Sequence, residues 1–366
     1  MTRTEAYLAL NLIPQIGPVR VKKLIRHFGS PEAVLSAKNR ELILVDGIGQ
    51  AQADAISQWE SQIDLAGELR QINERGLTLL TQEDPLYPRL LREIHDPPVL
   101  LYVWGELLPR DHNAIGIVGS RHATHYGLSA TKKLAFQMAY AGYTVISGLA
   151  RGIDTAAHEA ALAAKGRTIA VIGSGMGKLY PPENMALAER IAQNGAVLSE
   201  YAVDRIADKQ TFPYRNRVVA GWSCGLIVVE APVRSGSLIT AQQAADQGRT
   251  VYAVPGPIDK PTSAGCNRLI QQGAKLILDG ADVLDDLMSL FPTAPTAPKV
   301  QASAPAAELS LDERILFEAI GTEESHINDI TSRSGLTAAT VNATLMRLEM
   351  KRLIRALPGR RYVRLV

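Results

Sequence analysis

Four short segments of this 366-residue chain combine small residues with the start of a helical pattern. The first is Gly119-Ser120-Arg121. The second is SGLARGIDTAAH, which carries Ser147, Gly148 and Arg151. The third is GSGMGKLYPPEN, with Gly173, Gly175, Lys178, Tyr180 and Asn184. The fourth is EAPVRSGSLIT, with Ser235, Gly236 and Ser237. Small residues let a backbone approach an anion, and helix N-termini favour negative charge. Several such loops side by side make a surface for several phosphates. The segment FPYRNR adds Phe212, Arg215, Asn216 and Arg217. Aromatic rings offer bases a stacking surface, and guanidinium groups pair with phosphates or stack. That combination suits a single strand with accessible bases, with Tyr180 as a second stacker. A buried ion pair of Arg215 with Glu200 or Glu230 is the structural alternative.

Enzyme motifs fare worse. The dinucleotide fingerprint G-x-G-x-x-G is absent at the first turn, which disfavours NAD. GSGMGK has one residue too few between its glycines for a phosphate-binding P-loop, and Leu179 stands where Ser or Thr would hold magnesium. GWSCG matches G-x-S-x-G, but a nucleophile elbow needs strand, turn, then helix. Here a helix precedes a strand, so Ser223 reads as structural. Asp154, His158 and Glu230 could form an acid–base group. An Asp and a His four residues apart at a helix start more often stabilise that helix. Cys224 and Cys266 show neither C-x-x-C spacing nor a histidine cluster. They read as two reduced thiols of a cytoplasmic protein, without metal or cofactor.

The elements that must position these loops follow from a change of rhythm at Asn113. Apolar runs of strand length alternate with amphipathic runs of helix length: NAIGIVGS, YTVISGLA, RTIAVIGSG, AVLSEY, GLIVVEAP and TVYAVPG, with helices between. Continuously apolar strands alternating with helices predict an α/β fold, an extended Rossmann-like parallel sheet covered on both faces. In such sheets ligands bind beyond the carboxyl ends of the strands, where all four small-residue loops fall. The predicted domain spans 113–291, with CNRLIQQGA, KLILDG and ADVLDDLM closing it.

Flanking segments are smaller. Residues 1–65 predict short helices with two alike turns, at Gly17-Pro18 and at Gly47-x-Gly49. The pattern resembles helix-hairpin-helix and sterile-alpha-motif-like modules that bind DNA. Residues 66–112 predict a connecting segment, with a lead-in helix and an edge strand at LLYVW. The Pro/Ala-rich stretch 292–309 predicts a semi-extended linker. Residues 310–366 predict a winged-helix domain, with a hairpin turning at Pro358-Gly359 and with Arg360 and Arg361 at the wing. From Thr340 to Val366 there are seven basic residues against one acid, although the net charge of the chain is only +2. Positive charge for nucleic acid must therefore be local. The opening apolar stretch is broken by Asn11 and Pro14, too short for a signal peptide or membrane span.

Taken in order, GSR, SGLARGID, YPPEN, SE, FPYRNRVVAG, VEAPVRSGSLITA, GRTVYAVPG and SAGCNRLIQQGA resemble the DNA-processing protein A (DprA/Smf) family, over about 160 residues. The resemblance implies a single-stranded-DNA-binding protein of natural transformation that protects incoming DNA and helps load the recombinase RecA. It implies a homodimer without catalytic activity. The family arginine of GSR lands on Arg121. Many members carry a lysine after Tyr-Pro, where this chain has Pro182, leaving Lys178, Arg151 or Arg217 to supply the second basic contact. Dimerisation would use the Cys266–Leu278 neighbourhood, with Leu269 and Ile270 as candidates. One alternative is a nucleotide-processing enzyme of the lysine-decarboxylase-like Rossmann type, whose P-G-G-x-G-T-x-x-E signature is missing. Another is a winged-helix regulator with a ligand-sensing core.

Overall fold

The computed structural model describes residues 1–290, 310–320, 325–337, 353–357 and 361–364, with 340, 341, 344, 345 and 348 among the last helical turns. The chain divides into two units after residue 298. The expected linker at 292–309 and the wing turn Pro358-Gly359-Arg360 lie outside the described residues.

Seven helices open the first unit: α1 (Arg3–Leu12), α2 (Pro18–Phe28), α3 (Pro31–Ser36), α4 (Asn39–Leu42), α5 (Gln50–Ser57), α6 (Trp59–Gln62) and α7 (Leu65–Glu74). Gly17 caps α2 with Pro18 at its first position, where the missing proline N–H costs nothing. Gly49 caps α5. Arg20 ties the two alike turns together, donating to the carbonyls of Gln15 and Gly47 at 3.0 Å each. Leu8, Leu24, Leu42 and Ile56 share one hydrophobic cluster with Leu100, Tyr102, Ile172 and Val197. The helical module is thus packed onto the sheet that follows, although its sequence reads as a separate unit.

That sheet has nine strands. They are β1 (Thr78–Thr81), β2 (Leu100–Gly105), β3 (Ala114–Val118), β4 (Thr144–Ser147), β5 (Thr168–Val171), β6 (Gly195–Ser199), β7 (Gly225–Val228), β8 (Thr250–Ala253) and β9 (Lys275–Leu276). Their order is β1-β2-β6-β5-β4-β3-β7-β8-β9. All pairs from β6 to β9 are parallel, and β1 and β2 add antiparallel to one side. LLYVW is therefore not the edge strand that its isolation suggests. β2 lies between β1 and β6, and the edge is the four-residue TLLT, too short to stand out. The connecting segment is part of the sheet. Helices α8 (Arg89–Arg92), α9 (His125–Tyr140), α10 (Ile153–Ala163), α11 (Met185–Asn194), α12 (Thr211–Trp222), α13 (Gly236–Asp246), α14 (Ala264–Gln271) and α15 (Gly280–Leu290) complete this unit. Strands β3 to β7 are buried along their whole length, which is why they read as unbroken apolar runs. The order reverses between β3 and β7, which leaves a crevice at their carboxyl ends.

The second unit holds α16 (Leu311–Ala319), β10 (Ser325–His326), α17 (Ile327–Ser334), β11 (Ile354–Leu357) and β12 (Arg361–Arg364). β12 pairs antiparallel with both β10 and β11. Val341, Leu345 and Leu348, spaced four and three apart, are buried with Leu316, Ile330 and Ile354. The helical spacing and the hairpin are as expected. β10 adds a third strand that two residues could not announce.

Candidate nucleic-acid interface

The crevice at the strand-order reversal is an open cleft of about 440 Å³. Gly119, Ser120 and Arg121 line it from the end of β3, Gly148 from the end of β4, and Phe212, Arg215 and Asn216 from α12. Ser235, Gly236 and Ser237 line it from the start of α13. The β3 loop is held by close backbone packing. A Cβ on Gly119 would stand 2.6 Å from Ile153 and 2.9 Å from the Glu230 carbonyl. Gly152, at φ +74°, closes the other side, where a Cβ would meet the Ser120 carbonyl at 2.3 Å. Ser120 N donates to the Glu230 carbonyl at 2.6 Å, which anchors the residue before Arg121.

Arg121 is exposed, and its guanidinium carbon lies 5.0 Å from the centre of the Phe212 ring. Arg215 approaches the same ring at 5.9 Å, and Tyr180, 38% exposed, sits 5.9 Å from it centroid to centroid. Phe212 is thus surrounded by two guanidinium groups and a second ring, an arrangement that orients cations and stacks planar groups. Ser235 caps α13 by accepting from Ser237 N at 3.3 Å, while Gly236 is exposed at the positive end of an 11-residue helix. The described lining carries Arg121, Lys209, Arg215 and Arg234 against one carboxylate, Asp154. Lys209 and Arg234 escaped the sequence reading. Their signal was a basic residue inside a strand-end loop or just before a helix start.

The two arginines of FPYRNR part company. Arg215 is 5% exposed and forms the cleft floor, donating through Nη1 to the carbonyls of Gly148 and Val171. Burial lowers its pKa to about 10, opposed by the charge of Asp154 and aided by that of Arg121. Asp154 accepts from Gly148 N at 3.1 Å and Ala150 N at 3.3 Å, and burial raises its pKa. Arg217 is not in the cleft. It is 4% exposed, binds both oxygens of Glu200 at 2.7 and 2.6 Å, and stands 3.1 Å from Asp96. Positions two apart on a helix face different ways, so only one of the pair can reach the cleft. Glu200 therefore partners Arg217, and Glu230 instead accepts from Thr124 at the start of α9.

Other expected contacts prove to be scaffold. Ser147 is fully buried and donates to the Ile117 carbonyl. Asn184 donates to the Leu149 carbonyl and to Thr155, fixing the loop after β4. Gly173 lies under Phe212, where a Cβ would stand 3.0 Å from the ring, and Gly175 is buried against the backbone of Ala202 and Val203. Lys178 is exposed but outside the cleft lining, whereas Arg151 lines an adjoining recess with Arg121, Tyr180 and Phe212. Arg151 there forms an ion pair with Glu183. Pro182 is exposed beside them. Leu269 and Ile270 are partly buried against their own core; the exposed apolar side chains nearby are Leu276 and Leu278.

Asp154, His158 and Glu230 do not converge. His158 Nδ1 lies 2.7 Å from Thr168 Oγ1, whose own proton goes to the Val145 carbonyl, so Nδ1 carries the hydrogen and Nε2 is buried without a partner. Ser223 is buried and donates to the Val219 carbonyl. Cys224 and Cys266 are buried, free thiols. Among the described residues no three His, Cys, Asp or Glu gather as a metal site, and no helix is long and apolar enough to cross a membrane.

Comparison with known proteins matches this arrangement. The family model for DNA recombination-mediator protein A covers residues 78–288, the DprA winged helix domain covers 300–360, and a helix-hairpin-helix motif covers 7–64. Protein Smf of Synechocystis is 34% identical over 98% of this chain and 98% of its own length. The solved structure of DNA processing protein A from Streptococcus pneumoniae superposes with a TM-score of 0.68 at 36% identity, covering 78% of this chain and 98% of that one. The Helicobacter pylori protein of the same name, whose structure is described as showing a unique single-stranded DNA binding mode, matches with a TM-score of 0.53. Its identity is 30%, over 58% of this chain and 96% of its own. The chain belongs to the DprA/Smf family, with helix-hairpin-helix, Rossmann-like and winged-helix parts in that order.

Proposed function

We propose that this chain is a single-stranded-DNA-binding recombination mediator that seats the strand in the cleft between β3 and β7. The observation that carries the reading is Arg121 poised over Phe212 at the mouth of a cleft lined by four basic side chains. Arg121 meets a phosphate, Phe212 and Tyr180 offer stacking surfaces, and the start of α13 faces a second phosphate. Arg151 supplies the basic contact that Pro182 cannot. It shares a recess with Arg121, whereas Arg217 is consumed by Glu200 and Asp96. The Helicobacter relative, described as binding single-stranded DNA, supports this ligand.

In this proposal the protein binds without a catalytic step, because Asp154, His158 and Glu230 each serve a separate scaffold contact. It acts as a homodimer in the cytoplasm, shields incoming DNA during transformation and hands it to RecA. The decisive experiment is fluorescence anisotropy with single-stranded, duplex and mononucleotide ligands over a salt series. On a single strand the affinity falls by about 0.7 log units per tenfold salt for each phosphate neutralised. Duplex binding as tight as single-strand binding, or no response to salt, sinks the proposal. RecA filament assembly with and without the protein, and light scattering of the free chain, test loading and dimerisation separately.

A further inference from the structure

The outer face of α9 carries a line of side chains that the cleft does not use. His125, Ser129, Lys132, Phe136 and Tyr140 recur at intervals of three and four residues and share one stripe of the helix. All five are exposed, Phe136 to 41% and Tyr140 to 54%. The two rings lie 6.2 Å apart with planes within 9° of parallel. Lys132 precedes Phe136 by one turn, and the 16 residues of α9 include no carboxylate. Asp282, near Lys133, offsets that neighbouring charge. The helix that carries the stripe begins three residues after His122, which lines the cleft. From His125 to Tyr140 it runs about 22 Å at 1.5 Å per residue, room for about six nucleotides at the 3.4 Å stacked rise.

Sequence-tolerant binding of single strands combines positive charge along a track with aromatic faces for successive bases. We propose that the strand leaving the cleft past Arg121 continues along α9, with bases stacking on Phe136 and Tyr140 and a phosphate meeting Lys132. This rests on the cleft as the primary site. The test uses the full-length chain and oligothymidylates of 5 and 30 nucleotides, with the parent, Arg121→Ala, and the triple variant Lys132→Ala, Phe136→Ala, Tyr140→Ala. The triple variant should bind the 30-mer at least about five-fold more weakly, the loss of one stacked base. Its salt slope should drop by about 0.7, and its affinity for the 5-mer should match the parent. A triple variant equal to the parent on the 30-mer, beside a weakened Arg121→Ala, overturns the α9 track and leaves the cleft standing. Equality of Arg121→Ala with the parent removes both. A change of oligomeric state by light scattering, with strand binding intact, assigns the face to protein and also overturns it. Photocrosslinking of 5-iododeoxyuridine strands to the parent gives a readout independent of variant folding. Crosslinks to the α9 peptide are expected, and their absence refutes the track.

Discussion

Replacing Arg121 with alanine separates binding from folding. The side chain is exposed, and its guanidinium carbon lies 5.0 Å from the centre of the Phe212 ring. Surface substitutions of this kind shift stability by about 0.5 kcal/mol or less, so the melting temperature should hardly move. Binding should respond strongly. A hydrogen bond to a charged group contributes about 1.5–3 kcal/mol, which corresponds to about 10- to 150-fold in dissociation constant. One phosphate fewer lowers the salt slope by about 0.7, so the deficit should shrink about 2.6-fold between 50 and 200 mM salt. Arg121→Lys keeps the charge and the slope but loses the planar stack on Phe212, and should fall between parent and alanine variant. Anisotropy with a labelled 30-nucleotide strand at four salt concentrations measures all of this. If Arg121→Ala binds within two-fold of the parent with an unchanged slope, the cleft is not where the phosphates sit.

Arg215→Met should destabilise the fold by about 1–3 kcal/mol, because it takes the buried donor from the Gly148 and Val171 carbonyls; urea unfolding should show it, and an unchanged midpoint would refute that role. Arg217→Ala should unfold at lower urea by a similar margin yet keep the parent's salt slope for DNA, since its partners are Glu200 and Asp96; a reduced slope would return it to the interface. Glu183→Gln should tighten binding, by about two- to three-fold at low salt, because it frees Arg151 and removes a screened negative charge from the rim; weaker binding in titrations would refute that role. His158 has a pKa lowered to about 3 by burial. The folded state holds it neutral while the unfolded chain protonates it near pH 6.5, so its contribution is complete above pH 6.5 and is lost as pH falls toward 3. The slope approaches about 1.4 kcal/mol per pH unit. Urea midpoints from pH 7 to pH 4 should fall less steeply in His158→Gln.

Much of the architecture was legible from local pattern. Unbroken apolar runs alternating with amphipathic ones announced the parallel sheet, because strands covered on both faces have no polar side to show. The small-residue loops announced where an anion could approach, because backbone proximity and helix starts are local properties. Residue types also placed Arg121, Phe212 and Arg215 in one neighbourhood. What the pattern left open depends on partners far along the chain. Arg215 and Arg217 are two residues apart and chemically identical, yet one forms the cleft floor and the other is neutralised by Glu200 and Asp96. Ser147, Gly175 and Asn184 belong to the right loops but face inward, since each satisfies or packs against backbone groups brought in by tertiary packing. β1 and β10 were invisible, and β9, inside the closing segment KLILDG, was not legible as a strand, because two to four residues carry no period. Local sequence determined which segments form strands, helices and phosphate-sized turns. Only the tertiary structure decided which side chains stay charged toward solvent, because burial and pairing are set by residues far along the chain, as Asp96 is from Arg217.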